Sequence, residues 1–314
     1  MRLEESAVTT FHRCLRRSLL MLVALAGLSS FAAQAYIVPT QGVTYFRTTT
    51  VYQGYSRSTL YFKPTTTSSS KAPLMVMLHY NGGNGEAMAY LTEVQELVRD
   101  YGIWVALPDV ADGNWHDDPS DTSSIDDVGF LTQLIDDSVA RYPVDAKRVS
   151  MTGFSDGAMM TLRYACDRPQ KIAAAAAVSG VMLKTLVSVC GSPALATPMA
   201  LINGTADTIV KYTPSKYAIA LSAPDSAKHW ARINGCPSAP KTTQLPNLST
   251  TDGTTVKLDA WLGCATGNAV EFYTVTNGGH TWPGSPYNLS YQGKTTFDID
   301  GTRTVWEFVK RFTR

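Results

Sequence analysis

Three short stretches carry residue types that could do chemistry together. MTGFSDGAMM (151–160) holds Ser155 between Gly153 and Gly157, directly after the apolar run RVSMT; LINGTAD (201–207) ends on Asp207; TNGGHTWPG (276–284) contains His280. A serine hydroxyl is a poor nucleophile at neutral pH. It becomes a good one when a histidine takes its proton and a carboxylate fixes the histidine tautomer. G-x-S-x-G between a strand and a helix is a nucleophile elbow, whereas outside that setting the same letters make an ordinary turn with a helix-capping serine.

The partners follow from chain order. Beyond residue 35 the histidines are His79, His116, His229 and His280. In a strand–elbow–helix architecture the order is Ser, then Asp or Glu, then His, which leaves His229 and His280. His229 lies in DSAKHWARING, an expected helix on which a solvated histidine is unremarkable. His280 follows the strand VEFYTV, at the carboxyl end where open α/β sheets gather their sites. Asp207 ends a strand between serine and histidine, while Asp225 opens the DSAKHWARING helix and reads as its N-cap. An oxyanion needs two N–H donors. Asp156 supplies the first, and Asn81 or Gly82 in LHYNGGNG (78–85) the second. Trp115 in DGNWHDD and Trp282 beside His280 are expected to wall a substrate pocket, with Tyr80 entering the oxyanion loop. DIDG (298–301) lacks the remaining ligands of a calcium loop and reads as the cap of a terminal helix. No metal or organic cofactor is required.

The elements that must hold these residues are legible in the periodicity. GVTYFRTTTVYQGYSRSTLYFKP reads as antiparallel strands around a turn at Gly54 and Ser56. PLMVML (73–78), IWVALP (103–108), RVSMT (148–152), IAAAAAV, PMALIN (198–203) and VEFYTV (270–275) are short continuous apolar runs, as in strands buried on both faces. Between them, Glu86 to Tyr101, Asp126 to Tyr142, the segment from about Gly157 and RTVWEFVKRF have helical spacing. Such alternation predicts an α/β fold with a mostly parallel sheet flanked by helices. The stretches 185–197 and 238–255 read as surface excursions from a single domain covering 36–314.

Composition bounds the rest. Arg13, Arg16 and Arg17, the run SLLMLVALAGL and the Ala33-Gln34-Ala35 site describe a signal peptide over residues 1–35. Its loss removes Arg2, Arg13, Arg16, Arg17, Glu4 and Glu5 from 27 Lys and Arg and 26 Asp and Glu, leaving a formal charge of −1. That balance gives no electrostatic case for nucleic acid or an anionic membrane as partner. Export to the periplasm or medium leaves Cys166, Cys190, Cys236 and Cys264, an even set in an oxidising compartment. Four cysteines allow three connectivities. The sequential pairing, Cys166–Cys190 and Cys236–Cys264, closes the two short loops and is the one expected. No C-x-x-C spacing or histidine pair favours a metal instead.

Taken together, DDVGFLTQLIDDSVARYPVDAKRVSMTGFSDGAMM, LINGTADTIVKY and GGHTWPG resemble the secreted polyhydroxybutyrate depolymerase and feruloyl esterase family of α/β-hydrolases, from about Pro73 to the C-terminus. The resemblance implies Ser155, Asp207 and His280 as a triad and supports the sequential cysteine pairing. It implies hydrolysis of carboxylic esters, oligomeric or polymeric, through an acyl-enzyme. Two stretches depart from the family pattern: His79-Tyr80 replaces His-Gly, and Asp156-Gly157-Ala158 replaces Asn-Gly-Gly. The chain ends soon after its terminal helix, so soluble oligomers or decorated plant-wall sugars are expected to suit it at least as well as crystalline polymer. A poly-amino-acid amide hydrolase and a silent hydrolase-fold binding protein are the alternatives.

Overall fold

In the computed structural model the alternating runs become one mixed sheet. The structure describes residues 37, 39–66, 69–190, 196–215 and 218–314, apart from the side chain of residue 266. The expected signal peptide and the new terminus at Tyr36 lie outside the described residues. The strands are β1 (Val43–Tyr52), β2 (Tyr55–Pro64), β3 (Ala72–Leu78), β4 (Trp104–Pro108), β5 (Val144–Phe154), β6 (Ala174–Val178), β7 (Met199–Gly204), β8 (Lys241–Gln244), β9 (Thr255–Trp261) and β10 (Val270–Thr276). The helices are α1 (Gly85–Thr92), α2 (Val94–Tyr101), α3 (Asp127–Arg141), α4 (Asp156–Asp167), α5 (Lys184–Val189), α6 (Ala223–Ile233) and α7 (Gly301–Val309).

The sheet order is β1-β2-β4-β3-β5-β6-β7-β10-β9-β8. Its six central strands, β4 through β10, are parallel, and antiparallel strands flank them at both sides. From β3 the chain moves one way to β4 and then back past β3 to β5. The crevice at the carboxyl ends of β3 and β5 is therefore a topological switch point, where α/β sheets bind ligands. Strand alternation builds two cores: Leu74, Val76 and Leu78 enter one, Met75 and Met77 the other. The alanines of β6 divide in the same way, Ala175 and Ala177 against Ala174 and Ala176.

Several expectations change. The helix expected over 86–101 is two helices, broken at Glu93 with φ 48°. At the break the Thr92 carbonyl accepts a hydrogen bond from Thr302 Oγ1 at 2.6 Å, so a contact with α7 takes the place of helix continuation. The excursions at 185–197 and 238–255 contain α5 and β8. All four β8 side chains are exposed, so this edge strand leaves no alternation of apolar residues to read. Ser222, not Asp225, caps α6: its Oγ accepts from Asp225 N, whose residue sits in the first turn. Asp300 caps α7, accepting from Arg303 N at 3.0 Å. Disulfides join Cys166 to Cys190 and Cys236 to Cys264. Residues Ile37–Arg314 form one compact unit, and among the described residues no helix is long and apolar enough to cross a membrane.

Candidate active site

Ser155 lies at the turn from β5 into α4, with φ 58° and ψ −118°. A non-glycine residue in that region stores about 1–3 kcal/mol of strain, which the surroundings must hold in place. The flanking glycines show how they do so. A Cβ on Gly157 would stand 2.4 Å from the Leu78 carbonyl oxygen and 2.5 Å from that of His79. One on Gly153 would stand 2.2 Å from the Gly157 oxygen. Both glycines are thus needed for backbone to press on backbone at the end of β3. Ser155 N donates to Val178 O at 2.9 Å, and Ser155 O accepts from Ala158 N and Met159 N. Asp156 N keeps no hydrogen-bond partner among the described residues, as expected of a donor in a first helical turn.

Asp207 and His280 come together from loops after β7 and β10. His280 Nδ1 and Asp207 Oδ2 are 2.7 Å apart, with only 3 % and 6 % of the two residues exposed. Asp207 Oδ1 accepts from Ile209 N and Val210 N at 2.8 Å each, which fixes the carboxylate plane. The glycine of G-T-A-D has a reason of its own. A Cβ on Gly204 would meet the Gly278 and Gly279 carbonyl oxygens at 2.3 and 2.5 Å, so only glycine lets these two loops touch. Beyond His280, its backbone N–H donates to Gln292 O at 2.6 Å. The ring lies 5.0 Å, centroid to centroid, from that of Phe154, the neighbour of Ser155. Ser155 itself is 8 % exposed. The arrangement can deprotonate a hydroxyl and then protonate a leaving alcohol.

The loop after β3 is built by a histidine that chain order had removed from consideration as a base. His79 is buried, and burial holds its pKa below the ordinary value, so the ring is neutral. Its Nδ1 donates to the Tyr80 carbonyl at 2.8 Å, and Gly83 N donates to the same oxygen at 2.9 Å. Gly82 N is not available to an oxyanion, because it already donates to Gly113 O at 3.0 Å. Of the two residues expected to supply the second donor, Asn81 keeps a backbone N–H without a partner among the described residues.

The tryptophans differ from expectation. Trp115 and Trp282 are each only 1 % exposed, and both indole N–H groups are engaged, to His79 O at 2.9 Å and to Thr302 Oγ1 at 3.0 Å. At that burial, Trp115 beside His79 and Trp282 beside Phe154, neither ring offers a face to a substrate; a polar, glycine-rich sequence neighbourhood did not keep these large rings out of the core. Tyr80 is half-buried, edge-on to Phe154 at 5.9 Å. Asp156 turns its carboxylate to Trp115 N at 2.8 Å. His229 is 9 % exposed, so it is a buried helix residue and not the solvated one expected. No pattern in the sequence singles out Arg57, which forms an ion pair with Asp127 in which both side chains are fully buried. Asp127 Oδ2 in turn holds His116 N at 2.8 Å. Among the described residues no group of His, Cys, Asp and Glu side chains could hold a metal ion.

Residues 101–222 match the family model described as phospholipase/carboxylesterase. Feruloyl esterase B of Piromyces equi is 27 % identical over 259 residues, which are 78 % of this chain and 43 % of that protein. Poly(3-hydroxyalkanoate) depolymerase C of Paucimonas lemoignei is 30 % identical over 137 residues, 40 % of this chain and 33 % of that one. The chain thus spans less than half the length of either relative. An acetyl xylan esterase structure from Aspergillus awamori superposes with a TM-score of 0.59 at 21 % identity, over 76 % of this chain and 94 % of that one, which shows a shared fold. Strand order, elbow and superposition agree on an α/β-hydrolase fold, and the chain is similar to a feruloyl esterase and a polyhydroxyalkanoate depolymerase.

Proposed function

We propose that this protein is a secreted serine esterase in which Ser155, His280 and Asp207 act as one unit. Ser155 Oγ attacks the ester carbonyl while His280 takes its proton and passes it to the leaving alcohol. Asp207 fixes the imidazole tautomer, and water then hydrolyses the acyl-enzyme by the same base. The N–H groups of Asp156 and Asn81 receive the oxyanion. The observation that carries this reading is the buried His280–Asp207 pair, 2.7 Å apart, at the carboxyl end of the sheet whose elbow bears Ser155. Substrates are esters carried on a polymer or its oligomers, either feruloyl or acetyl groups on plant-wall sugars or a hydroxyalkanoate polyester. Both substrate classes are named among the relatives. Residues 1–35 direct export and residues 36–314 form the catalytic domain, in keeping with the two disulfides.

The test pairs labelling with a substrate panel. A fluorophosphonate is expected to label the protein once, at Ser155, and the Ser155→Ala variant not at all. Methyl ferulate, acetylated xylan, hydroxybutyrate oligomers and a peptide amide then rank the substrates. Faster cleavage of the amide than of every ester, or labelling that survives Ser155→Ala, overturns the reading.

A further inference from the structure

A peptide unit is planar, so gripping its carbonyl also fixes where its N–H points. Two successive peptides of the oxyanion loop are gripped in this way. The Tyr80 carbonyl is held from within the loop, by His79 Nδ1 and Gly83 N, which aims the N–H of Asn81. The His79 carbonyl is held from outside, by Trp115 Nε1 at 2.9 Å, which aims the N–H of Tyr80 and sets the entry of the loop. Trp115 is itself held by the elbow, for its backbone N–H donates to Asp156 Oδ2 at 2.8 Å. The neighbouring His116 N is held by Asp127, and Gly113 O receives Gly82 N. The two donor-bearing segments, 79–83 and 155–157, are thus linked through one buried tryptophan, its backbone N–H on Asp156 and its indole N–H on His79.

We propose that the Asp156 carboxylate and the Trp115 indole form a positioning strut that holds the oxyanion loop in register with the nucleophile elbow. The proposal rests on the reading of Ser155 as the nucleophile. Asp156 then has two parts: its N–H faces the oxyanion, and its side chain aligns the donor across from it. Trp115 touches no substrate; it acts through His79.

Charge on the strut has a consequence. Among the described residues Asp156 has no ion-pair partner: Asp127, paired with Arg57, and Asp117 face it, His116 is the group of opposite sign that acts on it, and Arg163 reaches the His116 and Asp118 carbonyls. Burial, then the Asp127 charge, pushes the Asp156 carboxyl up to about 6, and burial, then Asp156, pushes Asp117 up to about 7. A protonated Asp156 is a weaker acceptor for Trp115 N. The strut is therefore firm above about pH 6 and slackens below it.

Trp115→Phe and Asp156→Ala test this in the full chain, with near-UV circular dichroism to establish that each variant is folded. Removing an oxyanion donor costs about 10²–10³ in turnover. Misaligning one is expected to lower kcat by about 10–100-fold with KM within about threefold. The double variant should be no slower than the worse single one, because one strut is broken once. Asp156→Asn keeps an acceptor for Trp115 and should retain more rate than Asp156→Ala. The ratio of kcat/KM for Asp156→Asn over the parent should rise as pH falls from 8 to 5, since any ionisation common to both proteins divides out. Folded variants with kcat within about threefold of the parent, losses confined to KM, additive losses, or a pH-independent ratio would each overturn the strut. Ser155→Ala separates the two claims. If it stays active, the nucleophile reading fails, and if it is inactive while Trp115→Phe and Asp156→Ala resemble the parent, the strut alone fails.

Discussion

Asp207→Asn is the substitution whose effect can be worked most fully from the geometry. The carboxylate uses Oδ1 for two backbone donors, Ile209 N and Val210 N, each at 2.8 Å, and Oδ2 for His280 Nδ1 at 2.7 Å. An asparagine has one oxygen, and facing its NH₂ toward the two backbone N–H groups would set donors against donors. The oxygen therefore stays with Ile209 and Val210, and the NH₂ turns to His280. Nδ1 must then accept, which puts the ring proton on Nε2, the atom that has to take the proton of Ser155. The base is present but in the wrong tautomer. In triads of this kind that costs about 10⁴ in kcat, or about 5.5 kcal/mol at 1.36 kcal/mol per decade. Because the two backbone bonds survive, Tm should fall by only a few degrees and KM should be little changed. Steady-state hydrolysis of a p-nitrophenyl ester with a parallel thermal melt measures both. A folded Asp207→Asn protein within tenfold of the parent kcat would refute the tautomer argument, and with it the role given to the buried pair.

Other outcomes follow from the same contacts. Ser155→Ala and His280→Ala should each lower turnover by about 10⁶, and the double variant hardly further, since the residues act as a unit; His229→Ala, away from the site, should keep its kcat, and an inactive His229→Ala beside an active His280→Ala would reassign the base. Gly157→Ala places a methyl 2.4 Å from a β3 carbonyl that has no flexible way to yield. It should cost about 1–3 kcal/mol in urea unfolding and take activity with it; wild-type stability would show that the elbow has slack. Replacing Cys166 and Cys190 together with serine should lower stability by about 2–4 kcal/mol, and so should replacing Cys236 and Cys264. Mapping of unreduced peptides from exported protein should find those two pairs, and four free thiols would count against both bridges and export.

The strand–helix alternation was legible because two of its physical causes act locally. Strands buried on both faces must be apolar throughout, as in PLMVML and IAAAAAV, and helices on a sheet must carry an apolar stripe, as from Asp126 to Tyr142. Ser155, Asp207 and His280 could be singled out because each stands at the carboxyl end of such a strand, in loops whose glycines are spaced for close contact. What left no local trace was decided by tertiary contact. Glu93 breaks a helix of good periodicity because the preceding carbonyl is taken by Thr302, more than two hundred residues away. The β8 strand is exposed along its length, so only its pairing with β9 makes it a strand. Gly82 and Asn81 are adjacent and alike on paper, yet one N–H is spent on Gly113 and the other keeps no partner among the described residues. Trp115 and Trp282 sit in polar sequence but are buried, because a large ring is buried wherever the fold offers volume and a partner for its N–H. The sequence by itself determined which residues could carry the chemistry and the order in which the strands present them. Which N–H groups remain free, which way Asp156 turns and what holds the loops in register depend on contacts between segments far apart in the chain, and only the folded structure sets those.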